Sequence, residues 1–110
     1  MNSLDPATEG RRRAAEYLTL LGTDDAAADA LLAELADVRD LVFLGAGLTE
    51  IARAEGRRLP TAQRAQASTR QVHLGQFRDS NRGDVEGLRD WLRRSAEEIV
   101  FIRSLAERAG

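Results

Sequence analysis

The chain of 110 residues contains no cysteine and no lysine, and it has a single histidine, His73. Without cysteine, a disulfide framework, a zinc ribbon and a thiol nucleophile are excluded. A single histidine excludes a metal site built on several histidine ligands, and we expect neither a metal nor another cofactor. All 16 basic residues are arginine and alanine is abundant, which indicates GC-rich coding rather than a particular chemistry.

Long apolar runs are also missing. The longest nearly uninterrupted one covers residues 41–48, far short of the ~20 residues that span a bilayer. Arg11-Arg12-Arg13 precedes an apolar stretch, but that stretch contains Glu16 and Thr19, so it is not typical of a secretory leader. We therefore expect a soluble, cytoplasmic protein with no membrane partner.

The composition is that of a folded domain. Apolar residues make up 43% of the chain and the formal net charge is only −2, which is too apolar for a disordered segment. A chain of this length is too short for two independent cores. We interpret residues 1–110 as one helical domain.

Helix signals dominate, because few residues are β-branched and no segment alternates apolar with polar residues over a useful length. Asp5-Pro6 is a favourable helix start, since Asp caps free N–H groups and Pro is tolerated in the first turn. Breaks are expected at Gly22, at 56–60 and at 80–83. These signals predict four helices, at about 5–21, 24–55, 61–79 and 84–109.

The second helix is predicted to be continuous, because its apolar residues recur at steps of three and four. Its weak point is Gly45-Ala46-Gly47, since a glycine inside a helix costs about 1 kcal/mol relative to alanine. Either the helix breaks there, or another backbone packs closely against the small residues. We favour a helix that is continuous or merely kinked.

The third and fourth helices differ in the strength of their apolar pattern. The third has only a thin stripe, made of Ala62, Ala65, Thr69 and Val72, with Leu74 and Phe77 beside it. The fourth has an unbroken seam with heptad spacing, which consists of Val85, Leu88, Leu92, Ser95, Ile99, Ile102, Ala106 and Ala109.

Short turns between consecutive helices favour antiparallel neighbours. The predicted fold is all-α, an antiparallel four-helix bundle. The alternative is a long helical hairpin that carries short peripheral helices and dimerises. More helix faces are apolar than a small monomer requires, which favours a homo-oligomer.

Five large apolar residues are candidates for a partner or oligomer interface, because aromatic side chains dominate interface hot spots. The first functional hypothesis is a small non-enzymatic module for protein–protein interaction. It would associate with itself or serve as an accessory subunit of a larger bacterial assembly. The candidate contact residues are Phe43, Trp91, Val100, Phe101 and Leu105. For Trp91 and Phe101 the alternative is a place in the core of the domain.

Charge is segregated along the chain. Residues 24–55 hold eight acidic residues and two arginines, whereas residues 56–78 hold five arginines, the histidine and no acid. Arginine, glutamine, serine and threonine are the side chains that contact phosphates and base edges. The alternative hypothesis is therefore binding of nucleic acid or a nucleotide, as in a small helical subunit of a nucleic-acid effector complex. Its candidate residues are Arg57, Arg58, Arg64, Arg70, His73 and Arg78.

Two further interpretations of this segment stay open. The basic segment could simply pair with the acidic helix, although exposed ion pairs contribute only ~0–1 kcal/mol each. An enzyme that uses Arg70, His73 and a carboxylate is a third possibility. No catalytic motif is present, so a non-enzymatic role is expected.

Overall fold

The computed structural model describes residues 5–109, and within them the chain forms five helices and no strand. The all-helical class is confirmed, whereas the division into four helices is wrong, because the helix predicted at 24–55 is two helices. Gly22 and Gly83 have positive φ angles (88° and 79°) and form two of the predicted turns. The helices are α1 (Pro6–Leu20), α2 (Asp25–Glu34), α3 (Val38–Gly56), α4 (Thr61–Ser80) and α5 (Val85–Ala109).

The interruption of the predicted helix lies at residues 35–37 and not at the glycines. The Arg89 guanidinium of α5 donates hydrogen bonds to the carbonyls of Leu32, Ala33 and Leu35, at 3.0, 3.1 and 3.0 Å. A helix end leaves its last carbonyls without partners, and Arg89 supplies them. Asp37 then caps α3 by accepting the Arg39 N–H at 2.9 Å. Because Arg89 is distant in sequence, the local apolar pattern could not show this break.

The helices α1, α3 and α5 run in the same direction. Gly45 in the first half of α3 packs against Trp91 in the first half of α5, and Glu55 near the end of α3 pairs with Arg103 at 3.3 Å. Helices α2 and α4 carry the chain back between them. The antiparallel four-helix order is therefore not confirmed, because it required the unbroken helix at 24–55.

Small residues allow α3 to approach two neighbours closely. A Cβ atom added at Gly47 would lie 2.9 Å from the Gly10 carbonyl oxygen and 3.0 Å from the Ala14 Cβ, both on α1. A Cβ added at Gly45 would fall within the indole of Trp91. The close-packing explanation of these glycines is confirmed, and α3 continues through them without a break.

Helix α5 buries the seam that its heptad spacing predicts, and its large members Leu88, Leu92, Ile99 and Ile102 are at most 1% exposed. The side chain of Ala109 lies outside the described part of the chain. Burying each such large side chain contributes ~1.5–3 kcal/mol.

The prediction of which face of α4 is buried is wrong. Residues 62, 65, 69 and 72 are exposed, and Ala67 is the buried residue of this helix. Leu74 and Phe77, which lie beside that stripe, are instead partly buried against the main core. Arg70, Gln71 and Arg78 are partly buried on the same helix, and an apolar pattern does not reveal such residues.

The crowding around Gly45 and the open space around Gly75 predict opposite effects for substitution of these two glycines by alanine. Gly45→Ala should lower the free energy of unfolding by about 1–3 kcal/mol, because the new methyl group overlaps Trp91. Gly75→Ala in α4 should raise it by about 0.5–1 kcal/mol, because the added Cβ meets only the tip of Arg78 at 4.0 Å and alanine favours the helix. Urea unfolding measures both, and a Gly45→Ala protein as stable as wild type would contradict this packing.

Tyr17 is 1% exposed, and this burial is the main cause that raises its pKa from 10.0 to about 12. The buried tyrosine is favoured in its neutral, protonated form. The stabilisation is therefore complete below pH 10 and is lost as the pH rises from 10 towards 12.

This pKa predicts an alkaline loss of stability that Tyr17 alone controls. The chain has no lysine or cysteine, so Tyr17 is the only side chain that titrates between about pH 9 and pH 12. The free energy of unfolding should fall by at most about 1.4 kcal/mol for each pH unit in this range, and Tyr17→Phe should remove the dependence. Urea unfolding at several pH values and the absorbance of tyrosinate test this, and a folded-state midpoint near the usual pKa would contradict it.

Candidate anion-binding groove

A groove lies between α3 and α4, with α5 as its floor, and consists of two adjoining cavities. The larger, of about 360 Å³, we name the polar cavity; the smaller, of about 230 Å³, we name the basic cavity. Both are lined by Arg53, Ser68 and Gln71. Within the described chain, no acidic residue lines either cavity.

Three arginines converge on the basic cavity. Arg53 lies in the last turn of α3, Arg57 directly follows that helix, and Arg64 lies in the first turn of α4. The short connection at 57–60 places the three residues on the wall of one cavity, where all three are exposed. The rest of the wall consists of Gly56, Ser68 and Gln71 and of the apolar residues Ala52, Ala67 and Ile102.

Within residues 5–109, these three arginines make no ion pair with a carboxylate, although most other arginines of the chain do. Arg58 pairs with Glu55 at 3.9 Å and Arg78 pairs with Asp79 at 3.1 Å. Arg64 donates only to the hydroxyl of Thr61, at 3.2 Å. Within residues 5–109, no carboxylate therefore neutralises the arginines of the basic cavity.

The acidic segment pairs mostly with other parts of the chain. Its carboxylates at 29, 40 and 50 lie 3.9, 3.8 and 3.9 Å from arginines 93, 13 and 11. Among the described residues, Arg58 with Glu55 is the one pair that joins it to residues 56–78. Internal pairing with the acidic segment therefore does not account for Arg57 and Arg64.

The polar cavity has a different lining. Trp91, Leu74 and Val72 form apolar walls, and Gly75 leaves space between them. Ser68, Gln71 and Ser95 supply hydroxyl and amide groups, whereas the Thr49 hydroxyl already donates to the Gly45 carbonyl at 3.0 Å. Arg78 closes one end, with its guanidinium 5.9 Å from the centre of the Trp91 ring.

Arg70 and His73 lie on the other side of α4, where they border a separate cavity of about 320 Å³. The Arg70 Nε donates to Glu98 at 2.6 Å, and its guanidinium lies 4.7 Å from the centre of the Phe101 ring. In the reciprocal arrangement, Arg94 of α5 lies 4.3 Å from the Phe77 ring centre on α4. This face holds the two helices together.

The six residues proposed for an anion site are thus divided between surfaces. Arg57, Arg64 and Arg78 line the groove, whereas Arg70 and His73 do not, and Arg58 borders a different cavity near Glu55. The structure also brings Arg70, His73 and Glu98 into one cavity, which is the set that the enzyme hypothesis needed. There the Glu98 carboxylate is already engaged by Arg70.

Arg53 is the groove residue that the sequence analysis missed, because it lies in the segment counted as acidic. A signal was present, since Arg53 and Arg57 are four residues apart and such residues share one helix face.

The five candidate interface residues do not form one surface. Trp91 is 3% exposed and belongs to the core, which is one of the two roles that the sequence left open for it. Phe43 packs beside Gly10 of α1, and Leu105 packs on a small cluster around Ile102. Val100 and Phe101 are 51% and 42% exposed, and Phe101 is partly covered by Arg70.

No group of three or more acidic or histidine side chains within residues 5–109 is arranged to hold a metal ion. None of the helices in that range combines the length and the apolarity needed to cross a bilayer. Protein-family models, curated proteins and solved structures contain no match to this chain.

Proposed function

We propose that the protein is a non-enzymatic binding module that holds a phosphate-bearing ligand, a nucleic acid or a nucleotide, in the groove between α3 and α4. The observation that carries this proposal is that Arg53, Arg57 and Arg64 line one cavity. Within residues 5–109 they have no carboxylate partner there, and no acidic residue lines the wall. The planar guanidinium donates paired hydrogen bonds to phosphate oxygens. Three arginines supply enough positive charge to bind a phosphate group, which carries up to two negative charges.

The net charge of −2 is compatible with this proposal because the acidic residues lie elsewhere. Helix α2 carries four of them, including its N-cap Asp24, and packs against α1 and the start of α5. Separation of charge leaves a locally positive groove on an acidic protein. Such a distribution favours binding at one place over general attraction to polyanions.

The proposal predicts that Arg57→Gln/Arg64→Gln weakens binding of a labelled single-stranded oligonucleotide. The salt dependence should also become shallower, by about 0.7 in the log–log slope for each phosphate group that the variant no longer neutralises. Fluorescence anisotropy at several salt concentrations measures both quantities.

The matched control is Arg12→Gln/Arg82→Gln, which removes the same charge from exposed arginines away from the groove. If both double variants weaken binding equally, the effect is one of net charge and the groove is not the site. Binding by wild type that is indifferent to salt would also contradict the proposal.

A second candidate function is protein–protein interaction through α5, the module or accessory subunit that the sequence first suggested. The observation that favours it is the exposure of Val100 and Phe101, at 51% and 42%. Exposed apolar side chains of this size are typical of contact surfaces when they cluster.

This candidate predicts that Val100→Asp lowers the mass of a self-associated form, or abolishes capture of a partner, while helicity stays unchanged. Val42→Asp on α3, at a residue of similar exposure (40%), serves as the control. Size-exclusion chromatography with light scattering and circular dichroism provide the measurement. A wild-type monomer whose partner binding is unaffected by Val100→Asp would remove the support for this function.

A further inference from the structure

The two cavities of the groove differ in chemistry but share one wall. The basic cavity is lined by three arginines that have no carboxylate partner in the described chain, and the polar cavity has apolar walls with amide and hydroxyl groups between them. Arg53, Ser68 and Gln71 border both. A ligand that occupies the two cavities together needs an anionic end joined to a body with apolar faces and polar edges.

The size of the groove favours a small molecule over a strand. The cavities measure about 360 and 230 Å³, and small-molecule sites are usually about 300–1,000 Å³. A strand would require cations that continue along the groove. Beyond the basic cavity the next arginine on the wall is Arg78, which is already paired with Asp79 at 3.1 Å. The available positive charge therefore matches one phosphate group at one end.

The polar cavity has the groups that a nucleobase requires. Its accessible apolar walls are Val72, which is exposed, and Leu74, which is partly exposed, and they suit the face of a flat ring. Trp91 lies on the same wall but is almost fully buried. The side-chain amide of Gln71 has both donors and an acceptor, as the edge of a base does. Gly75 contributes no side chain, and the space above it is open apart from the tip of Arg78 at 4.0 Å.

We infer that the groove binds one nucleoside monophosphate, with the phosphate in the basic cavity and the base in the polar cavity beside Gln71. The inference rests on the proposed function and narrows it to a single nucleotide. Gln71 and Ser68 lie where the two cavities meet, and there they contact the sugar and the adjoining edge of the base.

Isothermal titration calorimetry on the full chain tests the inference with named probes. The probes are the four nucleoside monophosphates of RNA, inorganic phosphate, the nucleosides without phosphate, and a short oligouridylate. At least one monophosphate should bind about tenfold more tightly than inorganic phosphate and than its own nucleoside, because it fills both cavities.

Two variants test which end of the ligand occupies which cavity. Gly75→Leu should fill the polar cavity and weaken the monophosphate about tenfold, without changing the affinity for inorganic phosphate. Gly75→Ala is its control, since a methyl group there meets little. Arg57→Gln/Arg64→Gln should weaken both probes. The comparison of probes on wild type decides the inference even if Gly75→Leu fails to fold.

The possible outcomes separate this inference from the proposed function. If the oligouridylate binds in a salt-dependent manner and no monophosphate binds more tightly than inorganic phosphate, the single-nucleotide inference is overturned and the proposed function stands. If no phosphate-bearing probe binds, both are overturned. A preference for one monophosphate that Gly75→Leu removes supports both.

Discussion

The close fit of α3 between two neighbours is the constraint on which the arrangement of the other helices depends. Gly47 allows the α1 backbone to approach, and Gly45 gives space to the Trp91 ring of α5. Any side chain at either position would push one neighbour away. With these contacts made, α1, α3 and α5 lie in one direction, and α2 and α4 return the chain between them. Among the described residues, α4 makes no comparable glycine contact with α3, and the space that remains between them is the groove.

The arginines of this chain have several distinct roles, which explains why their number alone says little. Arg89 ends α2 by binding three of its carbonyls. Arg70 and Arg94 stack on phenylalanine rings and hold α4 against α5. These groups are used by the fold, and removing one would first affect stability. Arg53, Arg57 and Arg64, which line the basic cavity, have no carboxylate partner within residues 5–109, so the packing of the helices does not use their charges.

The candidate site could be predicted from the sequence only in part. The absence of acids over residues 56–78 drew attention to Arg57 and Arg64, which line the groove. It also grouped them with Arg70 and His73, which lie on the other side of α4. Separating the two sets requires knowledge of which face α4 turns towards α5. That orientation depends on contacts between arginine and phenylalanine side chains of the two helices. The thin stripe of alanine, threonine and valine on α4 predicted the wrong buried face.

Local interactions account for what the sequence by itself determined: the all-helical class, the turns at Gly22, 56–60 and 80–83, and the buried seam of α5. Caps, glycine turns and helical periodicity act over a few residues, so they can be recognised along the chain. Only the tertiary structure decided the break at 35–37, the shared direction of α1, α3 and α5, and the meeting of Arg53 with Arg64. Each depends on contacts between different helices, whose energy depends on packing and not on neighbouring residues in the chain.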